Sequence, residues 1–294
     1  MKTFFLTLIL LVSTEVFAKL NIAVSYPYIG AITKVIGAEN VNVSVLAKGN
    51  WDPHFVVARP SLISKLRRSD ALIINGAHLE IGWIPPLIRR ANNRNILPGS
   101  KGFLDLSSSI NMLQKPTSVS RAGGDVHPDG NPHFHLDPNN ILLLARRVAS
   151  FLSTLDPSNR SNFENNFQDF KLHWKKEMKK WAKTMASANN KKVIEYHRNF
   201  DYFLHAYHIE GIATIEPLPG IPPSSRHTIE LINTIKTQHP CCIIHDVYHS
   251  TKTATYLHNK TGIKVVIMPH DIGALESIES LSELFDYLTG QFND

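Results

Sequence analysis

Four stretches of the chain carry side chains that bind first-row metals. "GNWDPHFVVARP" holds His54, "NPHFHLDPNN" holds His133 and His135, "KKVIEYH" closes on His197, and "VVIMPHDIGA" holds His270 and Asp271. Imidazole and carboxylate suit Zn²⁺ and its neighbours. Each residue alone reads as well as a hydrogen-bonded surface or core group. The argument rests on the set: two stretches fall in each half of the chain, and each stands at a loop edge. If those loops face one another across a cleft, His54, His133, His197 and Asp271 converge on one ion.

The elements around them explain how that can happen. Short apolar, β-branched runs at 20–26, 41–47, 71–77, 191–197, 211–217, 241–247 and 263–269 predict strands. They are continuous rather than alternating, as in sheets buried on both faces. Helical patterns at 27–38, 59–68, 138–153, 226–237 and 250–260 lie between them. Alternation of strand and helix in both halves predicts an α/β fold of two α/β domains with mostly parallel sheets. Loops beyond the carboxyl ends of such strands are where ligands bind. His54 follows the second strand, His197 ends the first strand of the second half, and Asp271 follows the last strand.

The halves meet at "DPSNRSNFENNFQDFKLHWKKEMKKWAKTMASANN". Asp156 reads as an N-cap with Pro157 at the first helical position. Phe163, Phe167, Phe170, Trp174, Met178, Trp181 and Met185 then recur at steps of three and four, one apolar stripe on a helix. A helix over 157–187 would be about 45 Å long and would pack against both domains as a spine. The expected organisation is therefore a signal peptide over 1–18, an N-terminal α/β domain over 19–155, a linking helix over 156–189 and a C-terminal α/β domain over 190–294, with the metal site in the interdomain cleft.

Bulk properties narrow the functional classes. The chain has 294 residues, 43% of them hydrophobic and 19% charged, with a net charge of +6. Those are globular values. The densest basic cluster, "HWKKEMKKW", follows the helical pattern and reads as a solvated face, so no nucleic-acid partner is expected. "MKTFFLTLILLVSTEVFA" has a basic start, a short apolar core and small residues at Val16 and Ala18, the pattern of a cleavable signal peptide. No cysteine stands at the expected cut, so a soluble periplasmic form without a lipid anchor is expected. Cys241 and Cys242 are adjacent in an apolar run and read as packed thiols. An exported protein with fifteen histidines favours transition-metal handling.

The motifs resemble those of the metal-binding (zinc/manganese) periplasmic substrate-binding proteins of ABC importers, in their zinc-type form. "WDPHFVVARPSLISKLRRSDALIINGAHLEIGW", with Leu79, Glu80 and Trp83, looks like the family's Asp-Pro-His signature and the strand that follows it. "NPHFHLDPNN" is similar to its second signature, "EYHRNFDYF" to its third, and "IEPLPGIPPSSRH" to its Glu-Pro-x-Pro-Gly loop. "VVIMPHDIGA" falls where the family supplies its last carboxylate. The likeness covers nearly the whole mature chain in the expected order. It implies His54, His133, His197 and Asp271 as ligands. It further implies capture of Zn²⁺, with Mn²⁺ as the alternative, by a monomer that delivers it to an inner-membrane ABC permease with its ATPase. A histidine at 197 leans to zinc in this family, since imidazole suits zinc and a harder oxygen suits manganese.

There are departures. Asn131 stands where the family has aspartate and His135 where it has tryptophan; His135 is a helix-entry residue or an alternative ligand, and His270, beside Asp271, could contribute instead of it. The family's long His-rich loop is reduced to "RAGGDVHPDGNPHFH", in which only His127, Asp125 and Asp129 could collect metal. Two other functions compete with transport. A secreted zinc-dependent hydrolase would need an open coordination position and a general base. Glu195 and Asp201 lie near, but no H-E-x-x-H pattern occurs. A surface adhesin sharing the fold would need display at the cell surface. Neither carries catalysis into the main expectation, which is a binding protein and no enzyme.

Overall fold

A computed structural model describes residues 19–117, 127–188 and 191–292. The expected signal peptide and Asp125 lie outside the described residues. Strands β1 (Leu20–Val24), β2 (Val41–Val45), β3 (Ala71–Ile74) and β4 (Phe103–Asp105) form one sheet in the order β2-β1-β3-β4. Strands β5 (Lys192–Glu195), β6 (Glu210–Thr214), β7 (Cys242–His245) and β8 (Lys264–Ile267) form a second in the order β6-β5-β7-β8. All these pairings are parallel. The centres of the strands are buried on both faces, as Ile22, Val24, Leu72, Ile73, Ile243 and Ile244 illustrate, which is why the sequence shows no alternation.

Nine α-helices are described: α1 (Pro27–Gly37), α2 (Pro60–Arg67), α3 (Ile84–Ala91), α4 (Pro138–Leu155), α5 (Arg160–Thr184), α6 (Asp201–Ala206), α7 (Ser225–Gln238), α8 (Lys252–Thr261) and α9 (Leu281–Gly290). The strand expected over 71–77 stops at Ile74. Gly76, Ala77 and His78 all take positive φ (85°, 50° and 63°), and the Glu80 carboxylate accepts the backbone N–H of Asn75 and Gly76. The chain therefore turns before it can continue the ladder. Both β4 and α3 went unread in the sequence. β4 has three residues, and α3 opens on Pro85 and Pro86, which look like breakers but sit in the first turn, where proline is tolerated.

The expected spine is present with a different start. Pro157–Asn159 form a 3-10 turn capped by Asp156, whose carboxylate accepts from the Asn159 backbone at 3.3 Å. The α-helix proper spans 25 residues, roughly 37 Å at 1.5 Å per residue. Its stripe is buried: Phe163, Phe167, Phe170, Trp174 and Trp181 all face inward, with Met185 in the turn that follows. The helix reaches both halves. Asn166 donates to the Ile36 carbonyl at the end of α1 (2.9 Å), the Trp174 indole to the Pro138 carbonyl at the start of α4 (2.8 Å), and the Trp181 indole to Asp286 on α9 (2.6 Å). Trp174, Trp181 and Phe285 stack edge and face at 4.9–5.5 Å. No helix among the described residues is long and apolar enough to cross a membrane.

Truncating Trp174 to alanine empties the middle of this cluster and is expected to cost about 3–5 kcal/mol of stability by urea unfolding. Leu172→Ala, on the exposed face of the same helix, should stay within about 0.5 kcal/mol. Equal effects would contradict the packing.

Candidate metal centre

Three of the sequence-expected donors meet. His54 comes from the loop after β2, His133 from the segment before α4, and His197 from the loop after β5. Each offers one ring nitrogen, and these nitrogens lie within 4.8 Å of one another. The ring centroids are 5.4 Å (His54–His133), 5.4 Å (His54–His197) and 5.6 Å (His133–His197) apart, each pair edge to face. This arrangement lets each ring direct one lone pair at a shared ion.

Two of the rings are aimed by carboxylates. His197 Nδ1 donates to Glu216 Oε2 at 2.7 Å, and His54 Nδ1 to Asp52 Oδ1 at 2.9 Å. A carboxylate can only accept, so the proton sits on Nδ1 and the Nε2 lone pair faces the centre. His54 Nε2 and His133 Nε2 are buried with no hydrogen-bond partner. A buried, unpartnered ring nitrogen is costly, and two of them facing one space point to a missing electrophile. Burial first, then the neighbouring His54 and His197 rings, hold the His133 ring well below the usual imidazole range, so it is neutral and ready to bind. Burial pushes the Asp52 carboxyl up, but its hydrogen bonds and attraction to His54 outweigh that and bring it below the usual range.

The loops that carry the rings are themselves fixed. The Pro53 carbonyl, between Asp52 and His54, accepts from Tyr26 Oη at 2.7 Å and from the Trp83 indole at 3.3 Å. Asn131 anchors the His133 segment: its Oδ1 accepts the His133 backbone N–H at 2.9 Å, and its Nδ2 donates to the Arg198 carbonyl (2.8 Å) and to Asp201 Oδ2 (3.1 Å). An aspartate could accept the first bond but could not donate the others, which would set two carboxylates face to face. The departure at 131 thus has a structural reason. Tyr202 adds a bond from its hydroxyl to the Asn131 carbonyl at 3.0 Å.

Asp271, His135 and His270 are buried nearby but stand outside the group of three. The Asp271 carboxyl accepts the backbone N–H of Ile272 (2.7 Å) and that of Tyr28. Tyr28 lies in the first turn of α1, which has no side-chain cap from its own N-cap residue. Asp271 therefore caps a helix of the opposite half. Burial raises its carboxyl well above the usual range. His135 lies flat on Tyr28 at 4.3 Å and donates through Nε2 to the His270 carbonyl at 2.8 Å. These contacts close the seam between the halves beside the three-histidine group.

Glu216 and Asp52 were the functional residues that the sequence left unassigned, although both stand in quoted motifs. The signal was there in each case: a carboxylate two residues before His54, and one opening the Pro-Gly loop. Behind Glu216, His249 Nε2 lies 3.5 Å from its Oε1 and His249 Nδ1 bonds Asp246 at 2.8 Å, so the support extends one layer further.

A profile of the family described as zinc-uptake complex component A, periplasmic, matches residues 22–289. The chain is 22% identical over 271 residues to the zinc-binding lipoprotein AdcA of Streptococcus pneumoniae, covering 90% of this chain and 51% of that one. It is 27% identical over 197 residues to the metal ABC transporter substrate-binding lipoprotein SloC of Streptococcus mutans, covering 65% and 61%. The chain thus spans about half the length of the AdcA relative. The crystal structure of ZnuA superposes with a TM-score of 0.79 at 24% identity, covering 94% of this chain and 98% of that one, a likeness of fold. One expectation is corrected here. AdcA and SloC are both named lipoproteins, so the soluble form without a lipid anchor does not stand. That reading rested on the residue type at a single expected cut. A periplasmic place agrees with the family description.

Glu216→Gln keeps the shape but weakens the pull on His197 Nδ1. It should lower metal affinity about 10–100-fold in a chelator competition while leaving the fold intact; an unchanged affinity would contradict the support role. Burial also pushes the His135 ring down to about 3 and the His270 ring down to about 4. In the unfolded chain both protonate near 6.5, so each weakens the fold as pH drops below that value. Glu80, raised by burial to about 7, acts in the opposite sense as pH rises through 4.5 to 7. Ring resonances of His135 and His270 should therefore stay still between pH 7 and 5, and a midpoint near 6.5 for either would overturn its burial.

Proposed function

The chain belongs to the family of zinc-uptake complex component A, periplasmic, and from that premise we propose that it captures Zn²⁺ and delivers it to an ABC permease with its ATPase. The family is one of uptake components and not of enzymes. The carrying observation is the trio of ring nitrogens within 4.8 Å. We assign His54, His133 and His197 as ligands, the first two from a domain over 19–155 and the third from a domain over 190–294, joined by 156–189.

The donors favour zinc. Imidazole nitrogen is a better partner for Zn²⁺ than for Mn²⁺, which prefers oxygen, and affinities rise from manganese toward copper and zinc. No carboxylate joins the group of three among the described residues. Manganese is the second reading, because the named relatives include one described only as metal-binding. Because donors come from both halves, an ion bound here holds them together, and its release requires the halves to part. The permease is the partner that would part them.

Purified protein should bind one Zn²⁺ per chain and hold it against a large excess of Mn²⁺. His133→Ala and His197→Ala should each weaken Zn²⁺ binding at least about 100-fold while circular dichroism stays unchanged. Tighter binding of Mn²⁺ than of Zn²⁺ would overturn the metal, and undiminished binding in both variants would overturn the ligands.

A further inference from the structure

Three histidines leave a four-coordinate ion one donor short, and the carboxyl expected to fill the gap is engaged as a helix cap. We propose that His127 is the fourth donor, closing the shell over His54, His133 and His197 from the 127–130 turn. This rests on the reading of those three as the metal site.

The His127 Nε2 atom is buried and has no hydrogen-bond partner, like Nε2 of His54 and of His133. Its ring lies 5.3 Å from that of His54, matching the 5.4–5.6 Å spacings within the trio. Imidazoles on one tetrahedral zinc, with Zn–N about 2.0–2.1 Å, have centroids roughly 5 Å apart. His127 lines a cavity of about 100 Å³ together with His133 and His197. It also lines a second pocket of about 190 Å³ together with His54 and His78. His127 is thus shared by the two cavities that adjoin the trio. Its nitrogens stand outside the group that lies within 4.8 Å, so completing the shell requires the 127–130 turn to advance toward the ion.

The ring is held as a ligand's ring would be. The Ala77 backbone accepts a hydrogen bond from it, which uses Nδ1 and leaves the Nε2 lone pair for the metal. Ala77 is itself in the turn of three positive-φ residues. Gly76 is required there because a Cβ would collide with the Asp105 carboxylate. On its other side, Asp129 pairs with His78 Nδ1 at 3.0 Å and the Gly130 N–H returns to the His127 carbonyl at 3.1 Å. The unusual backbone at 76–78 thus serves two purposes: it ends β3 and it orients His127. An all-imidazole shell carries no hard oxygen donor, so His127 also sharpens the preference for Zn²⁺ over Mn²⁺.

X-ray absorption at the zinc edge on full-length protein loaded with one equivalent of Zn²⁺ tests this. Wild type should show four imidazoles. His127→Ala should still bind one Zn²⁺, with three imidazoles and one light scatterer, at least tenfold weaker, with a narrower Zn²⁺-to-Mn²⁺ ratio and an unchanged melting temperature of the metal-free protein. Asp271→Asn should leave the imidazole count at four. Three imidazoles in wild type, or a count that His127→Ala leaves unchanged, overturns His127. An oxygen shell lost in Asp271→Asn overturns it in favour of the carboxyl. If His133→Ala also leaves binding untouched, the three-histidine site itself has failed, which is a different result.

Discussion

Ring nitrogens carried by two separate sheets have to arrive within 4.8 Å of one another, and much of the construction answers to that demand. Sheets connected by a slack linker would sample many separations and lose affinity to the entropy of bringing them together. The chain instead runs a 25-residue helix along both halves and bolts it with indole hydrogen bonds at Trp174 and Trp181. The aromatic stripe is thus a ruler as much as a core. It sets how far apart the loops can be before any side chain at the centre is chosen.

Electrostatics does the remaining work at close range. Burial disfavours a proton on His133 and the neighbouring rings add to this, so the ring is neutral without needing high pH. Behind the rings stand acceptors, Asp52 and Glu216, which fix tautomers and will offset positive charge when an ion arrives. Asp52 and Glu216 therefore orient the rings from behind.

Much of this was legible in the sequence and some was not. The continuous apolar runs around Ile22, Leu72, Ile243 and Val266 give parallel buried strands because burial on both faces removes alternation. The stripe from Phe163 to Met185 gives the helix because its period is 3.6. His54, His133 and His197 were visible as donors at loop edges. What periodicity cannot convey is direction. Asp271 and His133 look alike as polar residues after apolar segments, yet Asp271 accepts the backbone N–H of Ile272 and of Tyr28, whereas His133 Nε2 is buried without a hydrogen-bond partner. The difference lies in the first turn of α1, more than two hundred residues away. His127 sat in a polar, glycine-containing loop and read as a loose collector, because its bond to Ala77 depends on a backbone turn that no side-chain pattern announces. The two sheets share one strand order, although the sequence shows no repeat, since topology survives when residue identity does not.

The cap that Asp271 places on α1 has a consequence for the empty protein. Any parting of the two sheets must pull that carboxyl from the Tyr28 N–H and leave the helix end bare, a cost of about 1 kcal/mol. The stack of His135 on Tyr28 is broken in the same movement. The closed form is therefore latched by contacts that involve no metal, so the ion need not supply all the energy of closure. The two halves are thus held together before any ion arrives, and whatever parts them must also break these contacts.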